Sequence, residues 1–160
     1  MSVAAWLQAS ALGHFMRDSG PWTYAIVNLA HVLGISTLFG SVLVLDLRLV
    51  GVGRRVPLAA ISAAVVPVAA TGFVIAAITG AGLLATKATE YVGNPFLLIK
   101  FPAIALGLLN VAVFTRSRAW QAHVTRELTP DEQRTLAIMG GLSLLCWATA
   151  VTAGRMIAYW

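Results

Sequence analysis

Long apolar segments of this chain contain the ionisable side chains His31, Lys100 and Arg155. A titratable or charged group is costly in such a segment, so it is a functional candidate by default. Imidazole is the commonest metal ligand and carries protons near neutral pH. Ammonium and guanidinium groups bind carboxylates and phosphates. Together the three residues predict an electropositive polar site for an anion, a lipid headgroup or the acidic groups of a cofactor.

Helical spacing gives each of these residues small or polar neighbours on its own face. We therefore expect all three faces to turn towards other helices. Simpler roles stay open: a structural hydrogen bond for His31, a side chain that reaches the membrane surface for Lys100, and an interface anchor for Arg155. The predicted faces hold Tyr24, Asn28, Gly34 and Leu38 with His31, Phe96, Ala103, Gly107 and Phe114 with Lys100, and Gly141, Leu144, Ala148, Thr152 and Tyr159 with Arg155.

The composition is that of a membrane protein. Of 160 residues, 59% are hydrophobic and 11% are charged, whereas soluble domains carry about 25% charged residues. The single cysteine, Cys146, excludes an intrachain disulfide and a cysteine metal cluster, and we expect it to be a small packed residue. The first 22 residues lack the basic start and continuous apolar core of a signal peptide, so uncleaved insertion is expected.

Four apolar segments are long enough to cross a bilayer, at about 22–50, 57–84, 95–115 and 135–159. Their short connections predict an all-α fold: one integral membrane domain over residues 1–160, built as a transmembrane up-down four-helix bundle. Thr129 and Glu132 form the pattern of a capping box at the start of the last helix. Gly72, Ala76 and Gly80 predict close approach of the second helix to a neighbour.

Charge predicts the orientation of the spans. Loops one–two and three–four, with the adjoining helix ends, hold seven arginines, whereas the loops on the other side hold only Arg17 and Lys87. The positive-inside rule then predicts a multi-pass protein of the bacterial inner membrane with both termini on the periplasmic side. His31, Lys100 and Arg155 all fall in the outer half. The seven arginines of loops one–two and three–four and the adjoining helix ends are Arg48, Arg54, Arg55, Arg116, Arg118, Arg126 and Arg134.

Residues 1–18 form a separate segment. Their spacing predicts a short interfacial amphipathic helix that carries His14 and covers the outer mouth of the bundle. At the opposite end of the first span, Asp46 is expected to form an ion pair with Arg48 or with an arginine of the inner loops.

Four short motifs occur in order along nearly the whole chain: HVLG, LVLDLRLVG, GNPFLLIK and AGRMIAY. In their order and spacing the chain resembles a family of small bacterial four-helix membrane proteins, a resemblance that implies architecture rather than chemistry. More loosely, the chain is similar to b-type cytochromes and to copper-resistance membrane domains, because it places a histidine on an apolar helix of a small bundle.

The favoured hypothesis is a redox-cofactor site, for haem b or a quinone, that serves electron transfer. His31 would be the metal ligand or the quinone's hydrogen-bond partner, while Lys100 and Arg155 would hold propionates or a quinone oxygen. Membrane b-type cytochromes normally use two helix-borne histidines, and the spans hold one. A second ligand would be His14 or Met156, or the haem would be five-coordinate. Asn28 and Tyr159 complete the set of cofactor-binding candidates.

Two alternatives stay open. A transporter of a small anion or metal ion would need a polar path, for which Asn28, His31, Asp46 and Asn110 are the candidate steps, and it would need oligomerisation. An accessory or assembly subunit of a membrane complex would use the same polar site for a lipid or an acidic partner. Expected partners are the lipid bilayer, a membrane or periplasmic redox partner and a homo-oligomer, without nucleic acid. Because the chain has no HExxH motif or phosphate loop, an enzyme acting alone is less favoured.

Overall fold

The computed structural model describes residues 2–160, and this range contains helices and no strand. The all-α prediction is therefore confirmed. The helices are α1 (Val3–Gln8), α2 (Ala11–Asp18), α3 (Pro21–Val50), α4 (Leu58–Thr86), α5 (Pro95–Arg116), α6 (Arg118–Ala122) and α7 (Pro130–Met156), followed by a 3-10 helix at Ile157–Tyr159.

Helices α3, α4 and α5, and the last segment from Pro130 to Tyr159, are each long and apolar enough to cross a membrane. They correspond to the four predicted spans, and the chain is a multi-pass membrane protein. The last helix starts where its capping box predicts. The Thr129 hydroxyl accepts from the Glu132 backbone N–H, and the Glu132 carboxylate accepts from the Thr129 backbone N–H.

The described chain forms two compact units, and α3 and α4 each contribute a segment to both. Unit 1 contains the residues up to Leu38 and Ala70–Asn94. Here α3 and α4 run antiparallel and meet through glycines. A Cβ on Gly72 would lie 2.6 Å from the Leu38 backbone nitrogen, and one on Gly34 would lie 2.8 Å from the Ala76 nitrogen. The close approach predicted from small residues is confirmed.

The N-terminal segment of unit 1 is divided into two helices rather than the predicted one. The Ser10 hydroxyl caps α2 by accepting from the Gly13 N–H at 3.3 Å, and it donates to the Leu7 carbonyl at 2.6 Å. Serine side chains favour such local bonds over a continuous helix. The prediction of a single helix over residues 1–18 is wrong at this point.

The same segment packs onto the end of α4. Gly13 and Met16 are its buried residues, and Met16 lies against Gly82. Arg17 donates to the Thr86 carbonyl at 3.4 Å. The larger apolar side chains of the segment, Trp6 and Phe15, remain exposed, as is typical of helices that lie in a membrane interface.

Unit 2 contains Phe39–Ala69 and Pro95–Trp160. Its α5 and α7 run antiparallel: the Asn110 amide donates to the Met139 carbonyl at 3.1 Å, and Gly107 lies against Trp147. Segments of all four long helices meet in this unit, which is the four-helix packing that the sequence predicts. Its buried apolar cluster is formed by Leu49, Phe114, Ala119 and Leu136.

Candidate functional site

His31 lies half-buried on α3 in unit 1, and one of its partners is Thr79 of α4. The His31 Nδ1 and the Thr79 Oγ1 are 3.0 Å apart. The Thr79 hydroxyl is also 2.6 Å from the Ile75 carbonyl, and when it donates its proton there, Oγ1 accepts from a protonated Nδ1. This arrangement corresponds to the neutral tautomer with its proton on Nδ1 and its lone pair on Nε2.

Gly80 provides the space for this ring. A Cβ at position 80 would lie 2.8 Å from the His31 Cε1. Thr79 and Gly80 are consecutive residues of α4, and together they orient the imidazole from one side. The sequence shows the small-residue spacing, but the hydroxyl partner depends on how α4 is rotated about its axis.

The other unit 1 candidates lie in different surroundings. His14 is 62% exposed at its side chain and lies 3.5 Å from the Asp18 carboxylate, one helical turn away. Asn28 is exposed on α3. Glu90 pairs with Lys87 at 3.0 Å, and this hydrogen bond raises the pKa of Lys87 above its ordinary value.

Lys100 lies half-buried on α5 in unit 2. Its amine approaches α7, because a Cβ on Gly154 would lie 3.3 Å from the Lys100 Nζ. The buried residues of α5 include Ala103, Gly107 and Phe114. These three belong to the face predicted for Lys100, so that face is confirmed as the packed side of the helix.

Arg155 is exposed and contacts the 3-10 helix that follows α7. Its Nη2 donates to the Tyr159 hydroxyl at 2.7 Å, and its guanidinium carbon lies 5.1 Å from the Tyr159 ring centroid. The buried residues of α7 form a different stripe from the one predicted for Arg155, so the expectation that this face turns inward is wrong. That buried stripe includes Leu136, Gly140, Ser143, Cys146, Trp147, Ala150 and Ala153.

The structure thus joins Arg155 to Tyr159 in unit 2, and in unit 1 it joins His31 to Thr79 and His14 to Asp18. The common site of His31, Lys100 and Arg155 stays a prediction. Among residues 2–160 there is no group of three or more His, Cys, Asp or Glu side chains with metal-binding geometry.

The ion pair expected for Asp46 is absent from the described chain. Asp46 is 3% exposed, shares a hydrogen bond with Ser143 of α7, and leaves its Oδ2 without a partner there. Arg48 instead donates its Nε to the Val56 carbonyl at 2.8 Å. Because residues two apart on a helix point in different directions, Asp46 turns towards α7 while Arg48 reaches the loop.

Unit 2 also contains a polar region that the sequence does not predict. A cavity of about 650 Å³ is lined by residues from the ends of α3, α4 and α7, from the turn between α3 and α4, and from the segment 123–128. Four arginines and His123 contribute to its lining. The individual arginines are visible in the sequence, but their convergence depends on the loop structure.

Neither family models, nor curated proteins, nor solved structures give a match to this chain. The resemblance to small bacterial four-helix membrane proteins therefore stays a prediction from the motifs.

Proposed function

We propose that this membrane protein binds a redox cofactor, haem b or a quinone, through His31 and serves electron transfer. The observation that carries the proposal is the hydrogen bond from His31 Nδ1–H to Thr79, within two apolar segments of membrane-spanning length. It supports the proposal because it orients the ring and directs the lone pair to Nε2.

This arrangement suits both cofactors for the same reason. Metal-ligating histidines almost always donate their other ring N–H to a fixed acceptor, which orients the ring and raises its basicity. A haem iron would take the Nε2 lone pair as an axial ligand. The hydroxyl group of a quinol would donate a hydrogen bond to the same nitrogen. When the quinol is oxidised, the basic imidazole would accept its proton.

A purely structural hydrogen bond between α3 and α4 is the competing explanation. Such a bond contributes on average only about 0.6 kcal/mol in membrane proteins. The two explanations differ in what His31→Ala changes: a structural bond affects the stability of the protein alone, whereas a cofactor site loses its ligand.

We infer further that the chain resides in the bacterial inner membrane with both termini on the periplasmic side. The support is the concentration of seven arginines at one set of loops and helix ends. In this orientation His31 lies in the outer half of the membrane, where a membrane or periplasmic redox partner would exchange electrons with the cofactor.

A binding titration tests the cofactor proposal. The full chain, purified in detergent, is titrated with haem and separately with a short-tailed quinol, and binding is followed by absorption and by tryptophan fluorescence. We expect saturable one-to-one binding of one ligand, lost in His31→Ala and weakened about tenfold or more in Thr79→Val, within the 10–100-fold typical of such supporting partners. Equal binding by wild type and His31→Ala would contradict the proposal.

A further inference from the structure

The cavity in unit 2 is a second candidate binding site, separate from His31. Its volume is about 650 Å³, and its ionisable lining residues besides His123 are Arg48, Arg54, Arg55, Arg126 and Glu127. Basic side chains therefore outnumber acidic ones four to one in the lining.

Local backbone structure directs two of these arginines. The turn after α3 contains Gly51 and Gly53, with φ of 119° and 66°, a region that favours glycine. The Arg54 guanidinium lies over Gly51, where a Cβ would come within 3.0 Å of its Nε. The same turn then presents Arg55, which is exposed.

Only one of the four arginines has a carboxylate partner among the described residues. Arg126 donates to both Glu132 carboxylate oxygens, at 2.8 and 2.7 Å, and this bond raises the pKa of Arg126. Arg48, Arg54 and Arg55 form no ion pair with any described carboxylate. Three guanidinium groups of the lining therefore carry a charge that no described carboxylate neutralises.

The side chains that form the walls of the cavity contact neighbouring helices. His123 forms a hydrogen bond with Ser62 of α4 at 2.9 Å and stacks on Trp120, with ring centroids 4.1 Å apart. Leu49 and Leu136 are buried apolar residues of the lining. The site therefore combines fixed apolar walls with basic groups at the ends of membrane-spanning helices.

We propose that this cavity binds a phosphate group, carried either by an anionic phospholipid or by a free phosphorylated solute. Guanidinium groups match phosphate oxygens in bidentate geometry. The positive-inside rule accounts for the number of arginines on this side but not for their convergence. Arg116, Arg118 and Arg134 belong to the same predicted side and do not line the cavity.

The test compares two double variants that remove the same charge. R54Q/R55Q alters the cavity, and R116Q/R118Q alters arginines that do not line it. Each full-length protein is titrated in detergent with short-chain phosphatidylglycerol, with the matching diacylglycerol that lacks phosphate, and with inorganic phosphate. Thermal unfolding without ligand checks folding, and R55Q alone provides a milder variant because Arg55 is exposed and forms no ion pair with described residues.

We expect saturable phosphatidylglycerol binding that weakens about tenfold or more in R54Q/R55Q, partly in R55Q, and less than about twofold in R116Q/R118Q. Competition by inorganic phosphate would assign the site to a free phosphorylated solute, and its absence would assign it to a phospholipid. Equal weakening in both double variants, equal binding of diacylglycerol, or no saturable binding of either phosphate probe would overturn the proposal.

Discussion

The imidazole of His31 lies directly against Gly80, so that a methyl group on Gly80 would come within 2.8 Å of the His31 Cε1. Thr79, the preceding residue, holds the same ring through Nδ1. Two consecutive residues of α4 thus contact the imidazole of the single histidine in the membrane-spanning segments. This contact connects the α3–α4 packing to the proposed chemistry.

Gly80→Ala is expected to displace the imidazole and destabilise the protein by about 1–3 kcal/mol, the usual cost of overpacking. The measurement is thermal or denaturant unfolding in detergent. Gly141→Ala is the matched control, because no described heavy atom lies within 4 Å of a Cβ at that position. Equal destabilisation by both substitutions would show that the contact with His31 is not the cause.

Gly72→Ala is expected to cost more than Gly80→Ala in the same unfolding measurement. Its Cβ would lie 2.6 Å from the Leu38 backbone nitrogen and 2.9 Å from the Gly34 carbonyl oxygen. Because backbone atoms cannot rotate away as an imidazole can, the two helices must separate and lose packing. If the Gly72→Ala variant is as stable as the Gly80→Ala variant, or more stable, the close α3–α4 contact is contradicted.

Thr129→Ala is expected to lower stability by about 1 kcal/mol, because the first turn of α7 loses its N-cap acceptor. Hydrogen–deuterium exchange should increase at the Glu132 amide, which Thr129 accepts from. Thr125→Ala is the control, since the Thr125 hydroxyl donates only to the Ala122 carbonyl nearby. Unchanged exchange at Glu132 would mean that the cap does not hold this turn.

The inferred orientation predicts opposite labelling of two exposed valines. Val92 precedes α5, and Val52 follows α3. In a Cys146→Ala background, Val92→Cys should react with a membrane-impermeant maleimide in spheroplasts, while Val52→Cys should react only after permeabilisation. The reverse pattern would place both termini in the cytoplasm. Reaction of both without permeabilisation would contradict the inferred multi-pass orientation.

The sequence predicts the helices well because their causes are local. Long apolar runs define α3, α4 and α5, and the Thr129 capping pattern defines the start of α7. The spacing of Gly72 and Gly80 predicts close packing because it needs only small residues on one face. Cys146 is buried and unpaired, as a small packed residue is expected to be.

Side-chain partners are less predictable, because they depend on how each helix is rotated. Arg155 binds Tyr159 on its own exposed face, and Asp46 turns to Ser143 rather than to an arginine. In the same way, the Thr79 partner of His31 requires the register of α4 against α3, which hydropathy does not contain. Long apolar runs also do not predict the short helix α6 or the break at Ser10.

The cofactor content of the protein purified from its own membranes shows whether His31 binds haem b or a quinone. Reduced-minus-oxidised absorption detects haem b, and organic extraction followed by chromatography detects quinone. We expect one of these cofactors in the wild-type protein, at near one per chain. We expect it to be lost in His31→Ala and kept in Lys87→Ala, a matched loop variant purified alongside. Wild-type protein without either cofactor, or His31→Ala that retains it in full, would contradict the account.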